Sequence, residues 1–215
     1  MPAQPGMSDI TEDEIICRLA MPGESGWYED VRYQSFFPEP SWPAAVLIPF
    51  LRPEGSGSPW HVLLTRRTDL VAHHKSQVAF PGGRADPEDH NPTQTALREA
   101  HEEIGLQPDQ VRILGSLEPL HTISNYRVVP VIGVIPWPYP FRLESQEVSR
   151  IFSIPLTWLA NPTHFEERVR QITFPGLTQP KEIKVIYYQA YEDEVLWGVS
   201  AEIILRLIKR LGLLA

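Results

Sequence analysis

Gly82-Gly83-Arg84-Ala85-Asp86 and, beyond a short loop, Leu97-Arg98-Glu99-Ala100-His101-Glu102-Glu103-Ile104-Gly105-Leu106 are the residues that decide the fold of this chain. Two glycines open a turn, and the second stretch has the pattern of a helix. Glu99, Glu102 and Glu103 stand at i, i+3 and i+4, so they share one helical face. Leu97, Ala100 and Ile104 form an apolar stripe, and Gly105 falls where a helix C-terminus favours a residue with φ > 0. Acids in the last turn oppose the helix dipole, and no Lys or Arg follows within a turn to offset them. A hard divalent cation with oxygen ligands, Mg²⁺ or Mn²⁺, is the natural neutralising partner. Taken alone, three acids on a helix read as a solvated face. The glycine turn, the Arg98-Glu99 pair and the Gly105 stop favour a site.

Working outward, Thr11-Glu12-Asp13-Glu14 reads as a capping box that starts a short helix running to about Leu19. Gly23 to Pro43 is rich in Pro, Gly and aromatics and reads as an extended arm. We therefore divide the chain into residues 1–43, a helix and arm packed on the domain, and 44–215, the domain itself. Ala44 to Phe50 and Trp60 to Arg67 form a hairpin across the turn at 52–58. Val111 to Leu120 and Tyr126 to Ile135 are two more strands, with Ser124-Asn125 between them. Ser149 to Leu159 is expected to contain a turn leading into a short helix. Ile183 to Tyr191 is a strand by its β-branched and aromatic content. Ser200 is expected to N-cap an amphipathic helix ending at Leu211, with Ile203, Ile204, Leu207 and Leu211 facing inward. Strands interleaved with helices predict one α/β domain, a mixed sheet packed between helices.

The central stretch resembles the Nudix signature, G-x5-E-x7-R-E-U-x-E-E-x-G-U with U a bulky aliphatic. Arg98, Glu99, Glu102, Glu103, Gly105 and Leu106 match, and Ala100 is smaller than the usual U residue. In the first half the Glu position falls on His90. A one-residue insertion restores the register and puts Asp89 where that Glu belongs. The resemblance implies a Nudix-type α-β-α sandwich and hydrolysis of a nucleoside diphosphate linked to another moiety. It implies Glu99, Glu102 and Glu103 as metal ligands, and Glu102, Glu103 and Arg98 as catalytic. Arg98 has the orienting role. The general base is a motif glutamate first, with Glu147 and Glu144 as downstream candidates.

Leu63-Leu64-Thr65-Arg66-Arg67-Thr68 and Phe80-Pro81-Gly82-Gly83 are similar to the added signature of the coenzyme A pyrophosphatase branch, L-L-T-x-R-(S/A)-x3-R-x3-G-x3-(F/Y)-P-G-G. This implies Arg67, Phe80, Gly82 and Gly83 as substrate-binding residues, although Phe80 also suits a core. Ala72 and Ser76 replace the second Arg and the Gly of that pattern. Arg66, Lys75 or Arg84 are the candidates to supply the missing charge. Tyr126-Arg127-Val128-Val129-Pro130, Glu147-Val148 and Trp197-Gly198 also resemble that branch, although Val128 to Val134 reads as a buried strand. The implied reaction cleaves CoA or an acyl-CoA to 3′,5′-ADP and a 4′-phosphopantetheine product. The alternatives are a Nudix hydrolase of ADP-ribose or a dinucleotide, and a non-catalytic nucleotide-binding Nudix domain.

Composition agrees with an enzyme that handles small molecules. With 215 residues and 42% hydrophobic content, the chain has enough apolar material for one substantial core. Its net charge of −8 and lack of a basic stripe argue against nucleic acid as partner. No apolar run is long enough to span a membrane, and the acidic N-terminus is unlike a signal peptide. The single cysteine, Cys17, excludes an intramolecular disulfide. A cytoplasmic enzyme is expected, and the oligomeric state stays open, with a homodimer among the options.

Overall fold

Pairing of two distant segments organises the sheet. The computed structural model describes residues 10–21, 40–53, 57–68, 77–174 and 177–214. Strand β1 (Trp42–Leu51) runs parallel to β7 (Tyr126–Val134), from Trp42 opposite Tyr126 to Phe50 opposite Val134. Strand β2 (His61–Arg67) returns antiparallel to β1, with Phe50 opposite Val62, which is the expected hairpin. Further strands complete the mixed sheet: β3 (Val78–Ala79) and β8 (Val148–Pro155) on β2, β4 (Gly82–Arg84) on β1, β5 (Arg112–Ser116) and β6 (Leu120–His121) on β7.

Side-chain alternation along β1 separates two cores. Ala45, Leu47 and Leu51 face α2 (Pro92–Ile104), where they pack with Ala96, Ala100 and Ile104. Ile48 and Phe50 face the other side and join Ile15 of α1 (Glu12–Ala20) and Ile203, Ile204 and Leu207 of α4 (Gly198–Arg210). Helices on both faces of one mixed sheet make the expected α-β-α sandwich. A second, antiparallel sheet of β9 (Phe165–Ile172), β10 (Lys181–Tyr191) and β11 (Glu194–Trp197) carries the chain into α4.

Several local expectations hold. Thr11 and Glu14 close the capping box on α1, the Glu14 amide donating to Thr11 Oγ1 at 3.2 Å. Gly105 ends α2 at φ 70°, in the left-handed region. Others need correction. Residues 148–155 form β8 in place of a turn, because Val148, Phe152 and Ile154 alternate inward while the strand pairs with β2. The short helix follows as α3 (Leu156–Leu159). Helix α4 begins at Gly198, with extended Trp197 leading straight out of β11, so Ser200 lies within the first turn and caps nothing. The expected strand at 111–120 breaks into β5 and β6. Strand β1 starts at Trp42, two residues before the anticipated domain boundary. Strands β9 and β11 were not expected. The arm is described only from residue 40 onward, and Ala72, Ser76 and Lys75 also lie outside the described residues.

Candidate active site

Strand β4 lays the two glycines along β1, Gly82 opposite Val46 and Gly83 opposite Ala45. Helix α2 then crosses directly above them. A Cβ built on Gly83 falls 2.6 Å from both Cδ and Oε1 of Glu99, so only a glycine lets that carboxylate settle against the strand. The Gly82 amide lies near Glu103 and favours its charged form. Each glycine therefore receives one carboxylate of the helix.

Arg98 gathers the loop. Its Nη2 and Nε donate to Asp89 at 2.9 and 3.3 Å, Nη1 donates to Glu99 at 2.9 Å and Glu102 at 3.2 Å, and Nη2 also reaches the Arg84 carbonyl at 3.0 Å. This fork holds the Asp89 carboxyl down at about 2. Asp89 thus occupies the place the shifted signature gave it, paired with the motif arginine. Through Arg98 the loop is tied to Glu99 and Glu102.

Glu103 lies deeper, 4% exposed. Burial pushes its carboxyl up to about 8, against the pull of Arg67, whose Nη1 stands 3.7 Å from Glu103 Oε1. Arg67 Nη2 is 3.9 Å from Glu147 Oε2, so this guanidinium sits between a helix carboxylate and a loop carboxylate. The loop is latched in place: Thr68 Oγ1 donates to the Gln146 carbonyl at 2.7 Å, the Thr68 amide to the Glu147 carbonyl at 2.9 Å, and the Glu144 amide to the Glu103 carbonyl at 2.9 Å. The motif position held by Thr68 therefore has a concrete task, and its adjacency to Arg67 was the available signal. Burial likewise raises the Glu99 carboxyl, aided by the nearby charges of Glu102 and Glu147.

The fold brings together Glu99, Glu103, Glu147, Arg67, Arg98, Gly82 and Gly83. Glu102 stands at the rim, with its side chain 55% exposed. Glu144 is turned to its own loop, accepting from the Gln146 amide at 3.1 Å. Phe80 is 3% exposed within the core and offers no surface to a ligand, so its expected binding role gives way to packing. Arg66 is committed to Glu194 at 3.2 Å, whereas Arg84 lies over the Trp42 ring. Asp86, Asp89, Glu99 and Glu102 share Arg98, and Glu103 and Glu147 share Arg67, so acids outnumber the cations between them. That excess of hard oxygen donors fits Mg²⁺ or Mn²⁺. Among the described residues no three His, Cys, Asp or Glu side chains already stand as a metal-ligand set, since the two arginines hold them. No helix among the described residues is long and apolar enough to cross a membrane.

Comparison with known proteins gives the family. The NUDIX domain family model matches residues 41–192. A protein of Yersinia pestis (strain Pestoides F) described as "Uncharacterized Nudix hydrolase NudL" is 39% identical over 171 residues, 79% of this chain and 80% of that one. Its counterpart in Yersinia pseudotuberculosis serotype O:3 (strain YPIII) has the same identity and coverage. Among solved structures, a MutT/nudix family protein from Enterococcus faecalis aligns over 89% of this chain and 76% of that chain, with TM-score 0.49 and 16% identity. A C. elegans Ap4A hydrolase complex aligns over 53% of this chain and 80% of that chain, with TM-score 0.45 and 22% identity. The chain belongs to the Nudix hydrolases, enzymes that split the phosphoanhydride of nucleoside diphosphate derivatives.

Proposed function

We propose that this Nudix hydrolase cleaves the pyrophosphate of CoA or CoA derivatives, releasing 3′,5′-ADP and a 4′-phosphopantetheine product, with Mg²⁺ or Mn²⁺ as cofactor in the cytoplasm. The observation that carries the proposal is the placement of Arg67. Pairing of Thr65 with Ala79 and of Arg66 with Val78 joins the two ends of the branch motif. The Thr65 hydroxyl, donating to the Ala79 carbonyl at 3.1 Å, fastens that joint. Arg67, the next motif residue, then extends between Glu103 and Glu147, where a phosphate would meet it.

Glu99, Glu102 and Glu103 would hold the divalent ion, which supplies charge neutralisation and a more acidic water when bound. The chain's own groups do the rest. Arg98 fixes Glu99 and Glu102 against the loop, and Gly82 and Gly83 let the helix carboxylates approach the strand. Arg67 presents its fork to a phosphoryl oxygen. Glu102 or Glu103 takes the proton of the attacking water, and Glu147, which faces Glu99 and Glu103, is the downstream candidate for that step.

Ala72 and Ser76 in the motif favour a second reading, a broader Nudix specificity for ADP-ribose or dinucleotides. One assay separates them: incubation with Mg²⁺ or Mn²⁺ and CoA, oxidised CoA, ADP-ribose, NADH or diadenosine polyphosphates, with product masses followed. Preferred turnover of CoA with release of 3′,5′-ADP supports the first. A preference for ADP-ribose transfers the assignment to the second. Binding of these compounds without turnover identifies a nucleotide sensor and overturns both.

A further inference from the structure

Arg67 and Glu147 stand where the pairing of β2 with β8 ends, and that pairing is irregular. Leu64 lies opposite Phe152, Thr65 opposite Ile151, and Arg66 opposite Arg150. The register then slips so that Arg67 faces Val148, which leaves Ser149 as the extra residue of a β-bulge. Its effect is visible in the cores. Phe152 and Ile154 pack on the side of α1 and α4, and unbroken alternation would send Val148 there with them. Val148 instead joins Ile151 in the core beneath α2. The bulge thus brings the chain at Glu147 to the helix side of the sheet, where Arg67 also points. The Ser149 hydroxyl closes it by donating to the Arg66 carbonyl at 3.1 Å. Just beyond, the Arg67 amide donates to the Gln77 carbonyl and the Thr68 amide to the Glu147 carbonyl, each at 2.9 Å.

The last regular pair before the bulge carries a cost. Arg66 and Arg150 stand directly opposite on one face, and like charges so placed repel. Their counter-charge comes from the second sheet. Strands β10 and β11 are joined by a tight turn at Glu192 and Asp193, both left-handed at φ 48° and 67°, with Tyr191 opposite Glu194. This hairpin delivers Glu194, which is 5% exposed, to both guanidiniums. Its Oε1 is 3.2 Å from Arg66 Nη1 and 3.4 Å from Arg150 Nη1. Glu192 takes Nη2 of Arg150 at 2.9 Å. Without the charge of Glu194, the facing arginines would push β2 and β8 apart beside Ser149. The consequence would fall on Arg67 and Glu147, the residues just past that point on each chain.

We propose that Glu194 is a positioning residue for the hydrolysis: by neutralising the facing Arg66 and Arg150 it holds the Ser149 bulge in the register that presents Arg67 to the substrate. The proposal rests on the reading of Arg67 as a phosphate contact. The second sheet thus does more than lead the chain into α4.

The test compares E194Q, R67Q and E194Q/R67Q in the full chain, with Mg²⁺ and whichever of CoA or ADP-ribose the wild type turns over faster. Both facing guanidiniums reach water while Glu194 does not, so the effect lies between that of a surface pair and a buried one. E194Q is expected to lower kcat/KM by about tenfold, chiefly through KM. In the R67Q background the same change should cost about twofold or less, because its target is gone. E194Q/R150Q, which removes one of the facing cations, should recover most of the loss. With no substrate present, the Arg67 and Thr68 amides of E194Q should exchange hydrogen about tenfold faster, while those of α4 keep their wild-type rates. S149A, at an exposed position, probes the same joint should E194Q fold poorly, with an expected loss in kcat/KM of about three- to tenfold. Additive losses in E194Q/R67Q, no recovery in E194Q/R150Q, full activity in S149A, or exchange that is unaltered or uniformly faster overturns the proposal. R67Q as active as wild type overturns instead the placement of Arg67 at the phosphate, and this proposal with it.

Discussion

Gly83 and Gly82 are neighbours, yet adding a methyl group to each should damage different things. At Gly83 the new Cβ meets only the end of the Glu99 side chain, at 2.6 Å from Cδ and Oε1 and 2.7 Å from Oε2. A non-bonded carbon–oxygen contact needs roughly 3.3 Å, so the carboxylate must retreat by about 0.7 Å. A flexible side chain can do so at little cost to folding. At Gly82 the Cβ meets backbone instead, 2.5 Å from the Ala45 carbonyl oxygen and 2.6 Å from the Val46 Cα, inside the β1–β4 pairing. Nothing there can swing away, and overpacking of this kind costs about 1–3 kcal/mol. For a chain of this size that lowers Tm by about 2–12 °C.

G83A should therefore keep a Tm within about 2 °C of wild type while losing kcat by about 10²-fold, the usual consequence of misplacing a reacting group by the better part of 1 Å. G82A should lose stability first, and activity only in proportion to the folded fraction. Steady-state turnover under saturating Mg²⁺, measured alongside thermal melts of both variants, checks the pair. Full activity in G83A would falsify the placement of Glu99 in the reacting centre. Equal melting losses in the two variants would mean that Gly83 is merely a tight turn.

Other outcomes follow from the same geometry. E103Q removes a buried carboxyl whose burial costs more than Arg67 repays, so kcat should fall by about 10²–10³-fold while Tm holds or rises; near-normal turnover would refute the metal-site assignment. R98K keeps a positive charge but loses the fork that spans Asp89, Glu99 and Glu102, and should raise the Mn²⁺ concentration needed for half-maximal activity by about 10–100-fold. D89N tests the loop pair through pH. The folded Asp89 carboxyl is held at about 2, below its unfolded value, so its contribution is full above about pH 4 and fades as pH falls towards 2. Asp89 is covered by its own loop and not sunk in the core, so water screens the pair and roughly 1–2 kcal/mol is at stake. Denaturation midpoints of wild type and D89N should differ at pH 7 and converge near pH 2. A gap that persists at pH 2 would place the loss elsewhere than in the ion pair.

Elements whose signals are local were legible in the sequence and long-range joints were not, and the physical reason lies in how each is encoded. Helix α2 was legible because its signals are local: Gly105 stops it, and its apolar and acidic faces alternate at helical spacing, while the cap at its start, Asn91, emerges from the structure. The β1–β2 hairpin was legible for the same reason, with a Gly/Ser/Pro turn between two apolar runs. Strand β9 was not legible. Its residues Glu166, Glu167, Arg168, Val169 and Arg170 are all exposed, so no apolar alternation marks it, and it exists because β10 supplies the pairing from residue 165 to residue 172. Strand β8 was misjudged because its inward residues become visible only once β2 lies beside it.

The same division separates the two halves of the site. Glu99, Glu102, Glu103 and Arg98 come from one helix, so their spacing alone announces a shared face. Arg67 and Glu147 come from β2 and the loop before β8, and nothing in their own neighbourhoods shows that they meet. What brings them within 3.9 Å is the Thr68 latch onto residues 146 and 147, a hydroxyl and an amide spent on two carbonyls. A family signature records such long-range joints without explaining them, and that is why resemblance pointed to Arg67 while periodicity did not. It is also why resemblance misplaced Phe80: the motif fixes which residue stands before Pro81, but the sheet decides which face it points to, and that face is the core.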